Sequence, residues 1–136
     1  MRRSVAGIAI ERDTLFIARR KAGGDLGGKW EFPGGKAEEG ESDADALRRE
    51  YLEEFGVAVT AGHLLASAEF THNGTRYALN AYRIFFDPRN CRLADHAEWR
   101  WAAIEDIKTL DFAGSDLLLL PALQAYLDKK AGVHDR

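Results

Sequence analysis

The fold of this chain is decided by the stretch from Gly35 to Val57, which reads GKAEEGESDADALRREYLEEFGV. Its second half has the period of an amphipathic helix, because Leu47, Tyr51 and Phe55 recur every four residues. Ser42 at the start of this period and Gly56 after its end are typical of a helix N-cap and a helix stop. The pattern therefore predicts one helix over residues 42–55.

Three carboxylates share one face of this predicted helix. At about 100° per residue, Glu50, Glu53 and Glu54 fall within a single arc. Exposed to water, such like charges cost only about 0.2–0.5 kcal/mol per pair, so a solvated acidic face is one interpretation. In a semi-enclosed site, charges ~5 Å apart would repel by roughly 3 kcal/mol at an effective dielectric of ~20, which requires a proton or a cation. Oxygen ligands favour a hard ion, so Mg²⁺ is expected, with Mn²⁺ as a substitute.

The whole stretch fits the pattern G-x5-E-x7-R-E-U-x-E-E-x-G-U, in which U is a bulky apolar residue. Every specified position is filled, although Tyr51 stands where an aliphatic residue is usual. The sequence therefore resembles the Nudix hydrolase family, and in particular its MutT-type nucleoside triphosphate pyrophosphohydrolases. This resemblance implies an α+β fold, an α/β/α sandwich with a mixed β-sheet. The matched stretch at residues 35–57, called the box below, would form a loop, a helix and a loop around a metal ion.

The resemblance also implies roles for the residues of the box. Glu53 and Glu54 would bind the metal directly, together with the carbonyl of Gly34. Glu50 would be either a metal ligand or the base that activates water, and Arg49 would orient it through a charge-assisted hydrogen bond. The remaining box positions are expected to be structural, namely Gly35 for the backbone bend, Glu41 for support of the loop, and Gly56.

Two segments on either side of a glycine-rich loop at residues 23–28 resemble the MutT-type substrate site. In this comparison Arg20 contacts the substrate, and the residues that line the nucleotide are Glu31, Phe32, Pro33 and Gly34. An arginine fork suits contact with phosphate or a base. The alternative is that Arg20 simply ends a strand in solvent.

Two acidic residues outside the box complete the predicted site. Glu98 lies in a segment where a family glutamate reaches the metal or the attacking water, although an exposed strand residue is the alternative. Asp116 matches a position that contacts the nucleobase. An ionised carboxylate only accepts hydrogen bonds, so it would pair with amino or imino donors, as in a guanine or cytosine nucleotide such as 8-oxo-dGTP or a dCTP relative. The alternative for Asp116 is a helix N-cap.

Composition limits the other possibilities. The chain has 136 residues and a net charge of -3, which predicts a single domain over residues 1–136 and argues against a nucleic-acid polymer as partner. The only cysteine is Cys91, which excludes an internal disulfide and favours the cytoplasm. The apolar run at residues 5–10 is too short for a membrane span. We expect a small nucleotide as substrate, no membrane partner, and a monomer or homodimer.

Two other functions remain open from the sequence. One is hydrolysis of another X-linked nucleoside diphosphate, such as a nucleotide sugar or a dinucleoside polyphosphate. The other is a noncatalytic nucleotide-recognition module, which would have no need to retain every box glutamate. The four histidines show no paired spacing, so they are predicted to be turn and surface residues.

The rest of the chain shows strand and turn signals around this helix. A hairpin is predicted from strands at residues 4–10 and 14–19, and a second one around Asn73-Gly74. A short strand should follow, and then a C-terminal helix with Pro121 in its first turn. The predicted ranges are residues 64–71 and 76–86 for the second hairpin, 98–103 for the short strand and 118–130 for the helix.

Overall fold

The computed structural model of the protein describes residues 1–134, with eight strands, four α-helices and one 3₁₀ turn at Pro88–Asn90. None of the helices in this range is long and apolar enough to cross a membrane. The elements in chain order are β1 (Arg2–Ile8), β2 (Ile10–Glu11), β3 (Thr14–Arg20), β4 (Trp30–Glu31), β5 (Gly34–Lys36), α1 (Asp43–Phe55), β6 (Thr60–His72), β7 (Thr75–Phe85), β8 (His96–Ala102), α2 (Ile104–Ile107), α3 (Gly114–Leu117) and α4 (Leu120–His134).

The strands form two four-stranded sheets. The first has the order β5-β1-β7-β6, and it is mixed because β1 and β7 run parallel while the other pairs are antiparallel. In the second sheet, β3 pairs with β8 along one edge and with β2 and β4 along the other, all antiparallel. The connection from β4 to β5 consists of Phe32 and Pro33 and crosses between the sheets, and Gly34 and Gly35 then begin β5 at the entry to the box.

Helices cover both faces of these sheets. Alternate side chains of a strand point to opposite faces, and in β3 Phe16 and Ala18 pack with α1, whereas Leu15 and Ile17 pack with α4. The helical stripe predicted from the sequence supplies the α1 side of this packing, and its three members, Leu47, Tyr51 and Phe55, are completely buried. The predicted α/β/α sandwich with a mixed sheet is therefore confirmed.

Local signals predicted the helix and the second hairpin well. The side chain of Ser42 accepts a hydrogen bond from the Asp45 amide at 3.1 Å, and Gly56 ends α1 with φ of 67°. The turn between β6 and β7 has φ of 48° at Asn73 and 79° at Gly74, the left-handed conformation that Asn-Gly favours. Helix α4 begins one residue before Pro121, which therefore lies in the first turn as predicted.

The predicted N-terminal hairpin is only partly right. The run at residues 4–10 is not one strand, because β1 belongs to the first sheet and only Ile10 and Glu11 pair with β3 in the second. The chain changes sheets at Ala9, whose carbonyl accepts a hydrogen bond from the Phe16 amide at 3.0 Å. An apolar run indicates that a strand is buried, but it does not indicate which sheet the strand joins.

Candidate active site

Arg49 ties the loop of the box to its helix. Its Nε and Nη2 donate to the two carboxylate oxygens of Glu41 at 2.8 and 2.9 Å, and its Nη1 donates to Glu50 Oε1 at 2.9 Å. A further bond of 3.1 Å runs from Nη2 to the carbonyl of Lys36. The hydrogen bonds from Arg49 lower the pKa of Glu41 to about 2. The guanidinium thus fixes the orientation of Glu50 and the path of the loop together.

Close contacts surround the two glycines at the entry to the box. A Cβ atom on Gly35 would lie 2.5 Å from Glu50 Oε1, so the Glu50 side chain occupies the space beside the Gly35 backbone. A Cβ atom on Gly34 would lie 1.9 Å from the carbonyl oxygen of Val5 in the neighbouring strand. At Gly34 only glycine permits this approach without moving the backbone, whereas a side chain at Gly35 would displace the Glu50 carboxylate.

The contacts of Tyr51 explain why a tyrosine stands where the box pattern usually has an aliphatic residue. Its ring is buried against Phe55, and its hydroxyl lies 3.1 Å from the carbonyl oxygen of Pro33 and 3.3 Å from that of Gly7. The Gly7 amide also donates to the Pro33 carbonyl, at 2.9 Å. Pro33 is buried, and its carbonyl links the entry to the box with β1 and α1.

The three glutamates of the helix differ in their surroundings. The Glu53 side chain is 60% exposed, with Oε2 3.6 Å from Arg49 Nη1, whereas Glu50 is mostly covered and burial raises its pKa. Glu54 is buried, and its Oε2 has no hydrogen-bond partner within residues 1–134. Burial, followed by repulsion from Glu31 and Glu50, raises the pKa of Glu54 to about 9.

This arrangement fits a divalent cation. A buried carboxylate with an unpartnered oxygen is costly, and the repulsion from its neighbours is relieved by either a proton or a metal ion. Carboxylate and carbonyl oxygens are the ligands that Mg²⁺ and Mn²⁺ take in proteins. The helix can therefore present ligands to such an ion from Glu54 at the buried edge and Glu53 at the exposed edge.

A second cluster lies beside Glu54 and comes from other elements. Glu31 Oε2 accepts a hydrogen bond from Arg20 Nη1 at 3.0 Å, and it lies 2.8 Å from His96 Nε2. The His96 ring is fully buried and stacks on Phe55, with ring centroids 5.0 Å apart. One ligand atom each from Glu31, Glu54 and His96 lie within 4.8 Å of one another.

The prediction that the histidines are turn and surface residues is wrong for His96. The pairing of β3 with β8 shifts register next to His96, the first residue of β8. This irregularity brings the His96 ring to the face that α1 covers. His63 is exposed and His72 is partly exposed at the end of β6, as expected, and the side chain of His134 lies outside the described residues. No signal in histidine spacing marked His96, because its partners come from β4 and α1.

A cleft of about 540 Å³ opens between the sheets beside these clusters. Among the predicted substrate residues, those that line it are Arg20, Glu31, Phe32, Gly34 and Asp116, while Pro33 is not among its described lining residues. Asp116 is buried, and its Oδ2 accepts a hydrogen bond from the Phe32 amide at 2.9 Å. Burial, then repulsion from Glu31, raises the pKa of Asp116 to about 7. The N-cap alternative for Asp116 is wrong, because Ala113 precedes α3 without a side-chain cap.

A family model described as a NUDIX domain matches residues 1–123 of the chain. The chain belongs to the Nudix family. Its relatives include a CTP pyrophosphohydrolase of Escherichia coli, 34% identical over 122 residues that cover 89% of this chain and 90% of that protein. A putative 8-oxo-dGTP diphosphatase 2 of Mycobacterium tuberculosis is 32% identical over 136 residues, covering 97% and 95%.

The fold is also similar to those of solved structures. The solution structure of the E. coli ORF135 protein superposes with a TM-score of 0.81 and 33% identity, over 92% of this chain and 89% of that one. The chain is thus a Nudix hydrolase, and the loop and helix at residues 35–57 are its Nudix box.

Glu98 lies apart from this Nudix box. Its carboxylate pairs with Arg19 at 3.0 Å and with Arg100 at 3.5 Å. Its neighbour Trp99 stacks on Phe16 at the α1 face, so the alternation of the strand turns Glu98 to the other face. The structure therefore does not bring Glu98 together with the box glutamates, and the role inferred for it from the resemblance has no geometric support.

Asp95 is an acidic residue near the box that sequence reasoning missed. It is exposed, and it directly precedes His96. The backbone carbonyl of Asp95 accepts a hydrogen bond of 3.1 Å from the Lys21 amide. Besides the larger contributions of burial, Glu31 and Glu50, the charge of Asp95 helps to raise the pKa of Glu54.

Proposed function

We propose that this Nudix hydrolase cleaves a nucleoside triphosphate to the monophosphate and pyrophosphate, with Mg²⁺ as cofactor and Mn²⁺ as a substitute. The observation that carries the proposal is the position of the box, because its Gly34–Gly35 entry forms part of the wall of the 540 Å³ cleft. Support also comes from relatives named for CTP and 8-oxo-dGTP, which align over 89% and 97% of this chain.

The residues that would hold the ion are those of the box. Glu53, Glu54 and the Gly34 carbonyl are proposed as its ligands, and Glu50 as either a further ligand or the base. When bound, the ion neutralises phosphate oxygens and lowers the pKa of a bound water. Asp95 is a better candidate than Glu98 for a carboxylate outside the box, since its charge acts on Glu54.

The protein's own groups would then position the reactants. Arg49 holds Glu50 at 2.9 Å, so that this carboxylate can accept a proton from a water that attacks phosphorus in line. Arg20 lines the cleft with its guanidinium fixed by Glu31, and its fork suits phosphate oxygens. No covalent intermediate is required, because positioning and electrostatic stabilisation carry most of phosphoryl transfer.

Asp116 is proposed to read the nucleobase. One of its oxygens is engaged by the Phe32 amide, and the residue lines the cleft. An ionised carboxylate there would accept from the amino and imino donors of guanine or cytosine, and an oxidised guanine adds an N7–H donor. A guanine or cytosine nucleotide is therefore the proposed substrate, with 8-oxo-dGTP and a dCTP relative as the first candidates.

A nucleotide panel tests the proposal. Triphosphates of each base, 8-oxo-dGTP, nucleotide sugars and dinucleoside polyphosphates are incubated with the protein and Mg²⁺, and pyrophosphate and orthophosphate are measured separately. We expect pyrophosphate and a nucleoside monophosphate from one or two triphosphates. Orthophosphate as the only inorganic product, or turnover confined to nucleotide sugars or dinucleoside polyphosphates, would overturn it.

A further inference from the structure

Two buried polar atoms in one cluster lack partners. Among residues 1–134, Glu54 Oε2 and His96 Nδ1 are both inaccessible and make no hydrogen bond. A buried histidine whose role is only to fill space normally has its ring nitrogens satisfied. Here Nε2 is engaged by Glu31 at 2.8 Å, and the second nitrogen is not. Unsatisfied atoms of two potential ligand residues in one place point to a bound group.

The spacing of this cluster suits one metal ion. Ligand atoms of Glu31, Glu54 and His96 lie within 4.8 Å of one another. Nitrogen and oxygen ligands about 2.0–2.2 Å from a common ion are separated by at most about 4.4 Å, so movements of a few tenths of an ångström suffice. These residues come from β4, α1 and β8, which makes the site independent of the local spacing in the box.

The charges around the cluster also favour a dication. The carboxylates whose charges act on Glu54 are Glu31, Glu50 and Asp95, and Arg20 is the cation bonded to Glu31. With Glu54 itself, four carboxylates and one guanidinium leave three negative charges when all are ionised. A divalent ion placed among these groups offsets most of that charge.

We propose that Glu31, Glu54 and His96 form a mixed nitrogen and oxygen site that binds a transition-metal dication in preference to Mg²⁺. Imidazole is a better ligand for the first-row transition metals than for Mg²⁺, which prefers oxygen and keeps its waters. The site deepens the proposed function because it shares Glu54 with the box. It assigns His96 and Glu31 as additional ligands, and it predicts that the ion held deepest in the protein has one nitrogen ligand.

Pulsed EPR of Mn²⁺ bound to the full chain, prepared without a histidine tag, tests the assignment. We expect electron spin-echo modulation from a directly coordinated ¹⁴N nucleus. Growth with ¹⁵N-labelled histidine should replace this signal by a ¹⁵N signal, without any change in the protein's sequence. The signal should be absent in His96→Gln and retained in the control His63→Gln, whose side chain is exposed.

Affinity provides a second readout. Titration calorimetry with Mn²⁺ alone and with Mg²⁺ alone should show a 10- to 100-fold weaker Kd for Mn²⁺ in His96→Gln, on the scale of about 10–100-fold known for removing groups around metals. The Kd for Mg²⁺ should change much less. Circular dichroism establishes that the variant is folded, and if it is not, the labelled wild-type spectrum decides alone.

The outcomes separate this inference from the proposed function. Bound Mn²⁺ without histidine nitrogen coupling in the wild type would overturn the mixed site, while pyrophosphate release would leave the proposed function intact. Nitrogen coupling without pyrophosphate release from any triphosphate would support the site and overturn the function. An unchanged coupling in His96→Gln would place the nitrogen ligand elsewhere and overturn the assignment.

Discussion

The two edges of α1 neutralise charge in different ways. On the edge that carries the exposed Glu53, here called the exposed edge, Arg49 bonds to both oxygens of Glu41 and to the mostly covered Glu50, so these carboxylates are matched by a fixed guanidinium. On the buried edge, Glu54 and Glu31 share Arg20 as their nearby cation, and Glu54 Oε2 is unpartnered among the described residues. The exposed edge is therefore a fixed scaffold, whereas the buried edge is completed by a proton or an ion.

The largest expected effect comes from removing the charge on the buried edge. Glu54→Gln should lower turnover by about 10²-fold or more, the scale for losing one group that stabilises transition-state charge. Thermal stability without metal should stay equal or rise, because the repulsion is relieved, and Mg²⁺ should stabilise the variant less than the wild type. Pyrophosphate release and melting curves with and without Mg²⁺ measure both. Glu39→Gln, at an exposed position, is the control, and full activity of Glu54→Gln would show that turnover does not need a charge on the buried edge.

The free energy of unfolding of the metal-free protein should depend on pH through Glu54 on the buried edge. The pKa of Glu54 is raised from 4.5 to about 9, so the folded state holds a proton that the unfolded state releases. This stabilisation is complete below pH 4.5 and is lost as the pH rises towards 9, by at most about 1.4 kcal/mol per pH unit for one group. Urea unfolding in chelator at pH 5.5, 7 and 8.5 should show the decline, and Glu54→Gln should flatten it. A slope equal to that of the wild type would show that Glu54 is not the group responsible.

The exposed edge can be tested by keeping its charge and removing its geometry. Arg49→Lys retains a cation but loses the two-pronged contact with Glu41, so kcat should fall by about 10–100-fold, as for groups that orient ligands. Arg48→Lys is the matched control, because Arg48 is exposed and bonds to Asp45 alone among the described residues. If both variants keep full activity, the position of Glu50 does not depend on the guanidinium fork.

Base recognition should change with little effect on either edge. Asp116→Asn keeps an oxygen for the Phe32 amide but adds an amide donor and removes the charge. Loss of a hydrogen bond to a charged group costs about 1.5–3 kcal/mol, which is about 10- to 150-fold in kcat/KM between the preferred base and its competitors. Ratios of kcat/KM across the four bases measure this. An unchanged base ranking would restrict Asp116 to holding the Phe32 backbone.

The smallest effect is expected at Glu98. Its ion pairs are partly exposed and lie on the face away from the box, and such pairs contribute about 0–1 kcal/mol. Glu98→Gln should therefore change kcat by less than about 5-fold, whereas Asp95→Asn should lower it more. Steady-state kinetics of the two variants side by side decide between them. A larger loss in Glu98→Gln would restore the role that the resemblance assigned to it.

Much of the box could be predicted because its signals are local. The period of Leu47, Tyr51 and Phe55 gave the helix, and its cap and stop were read correctly to within a residue. The two short helices α2 and α3 were not predicted, since four residues give no period to detect. The roles of Glu53, Gly34 and the other ligands stay predictions, because they concern an ion and a substrate.

The helix, the shared arc of its glutamates and the resemblance to the Nudix family can all be read from the amino-acid sequence. The burial of Glu54 next to an exposed Glu53, and the contact of His96 with Glu31 across a separation of 65 residues, appear only in the folded chain. The physical reason is that helix periodicity and capping act over a few residues, whereas burial, desolvation and the register of distant strands depend on how the whole chain packs.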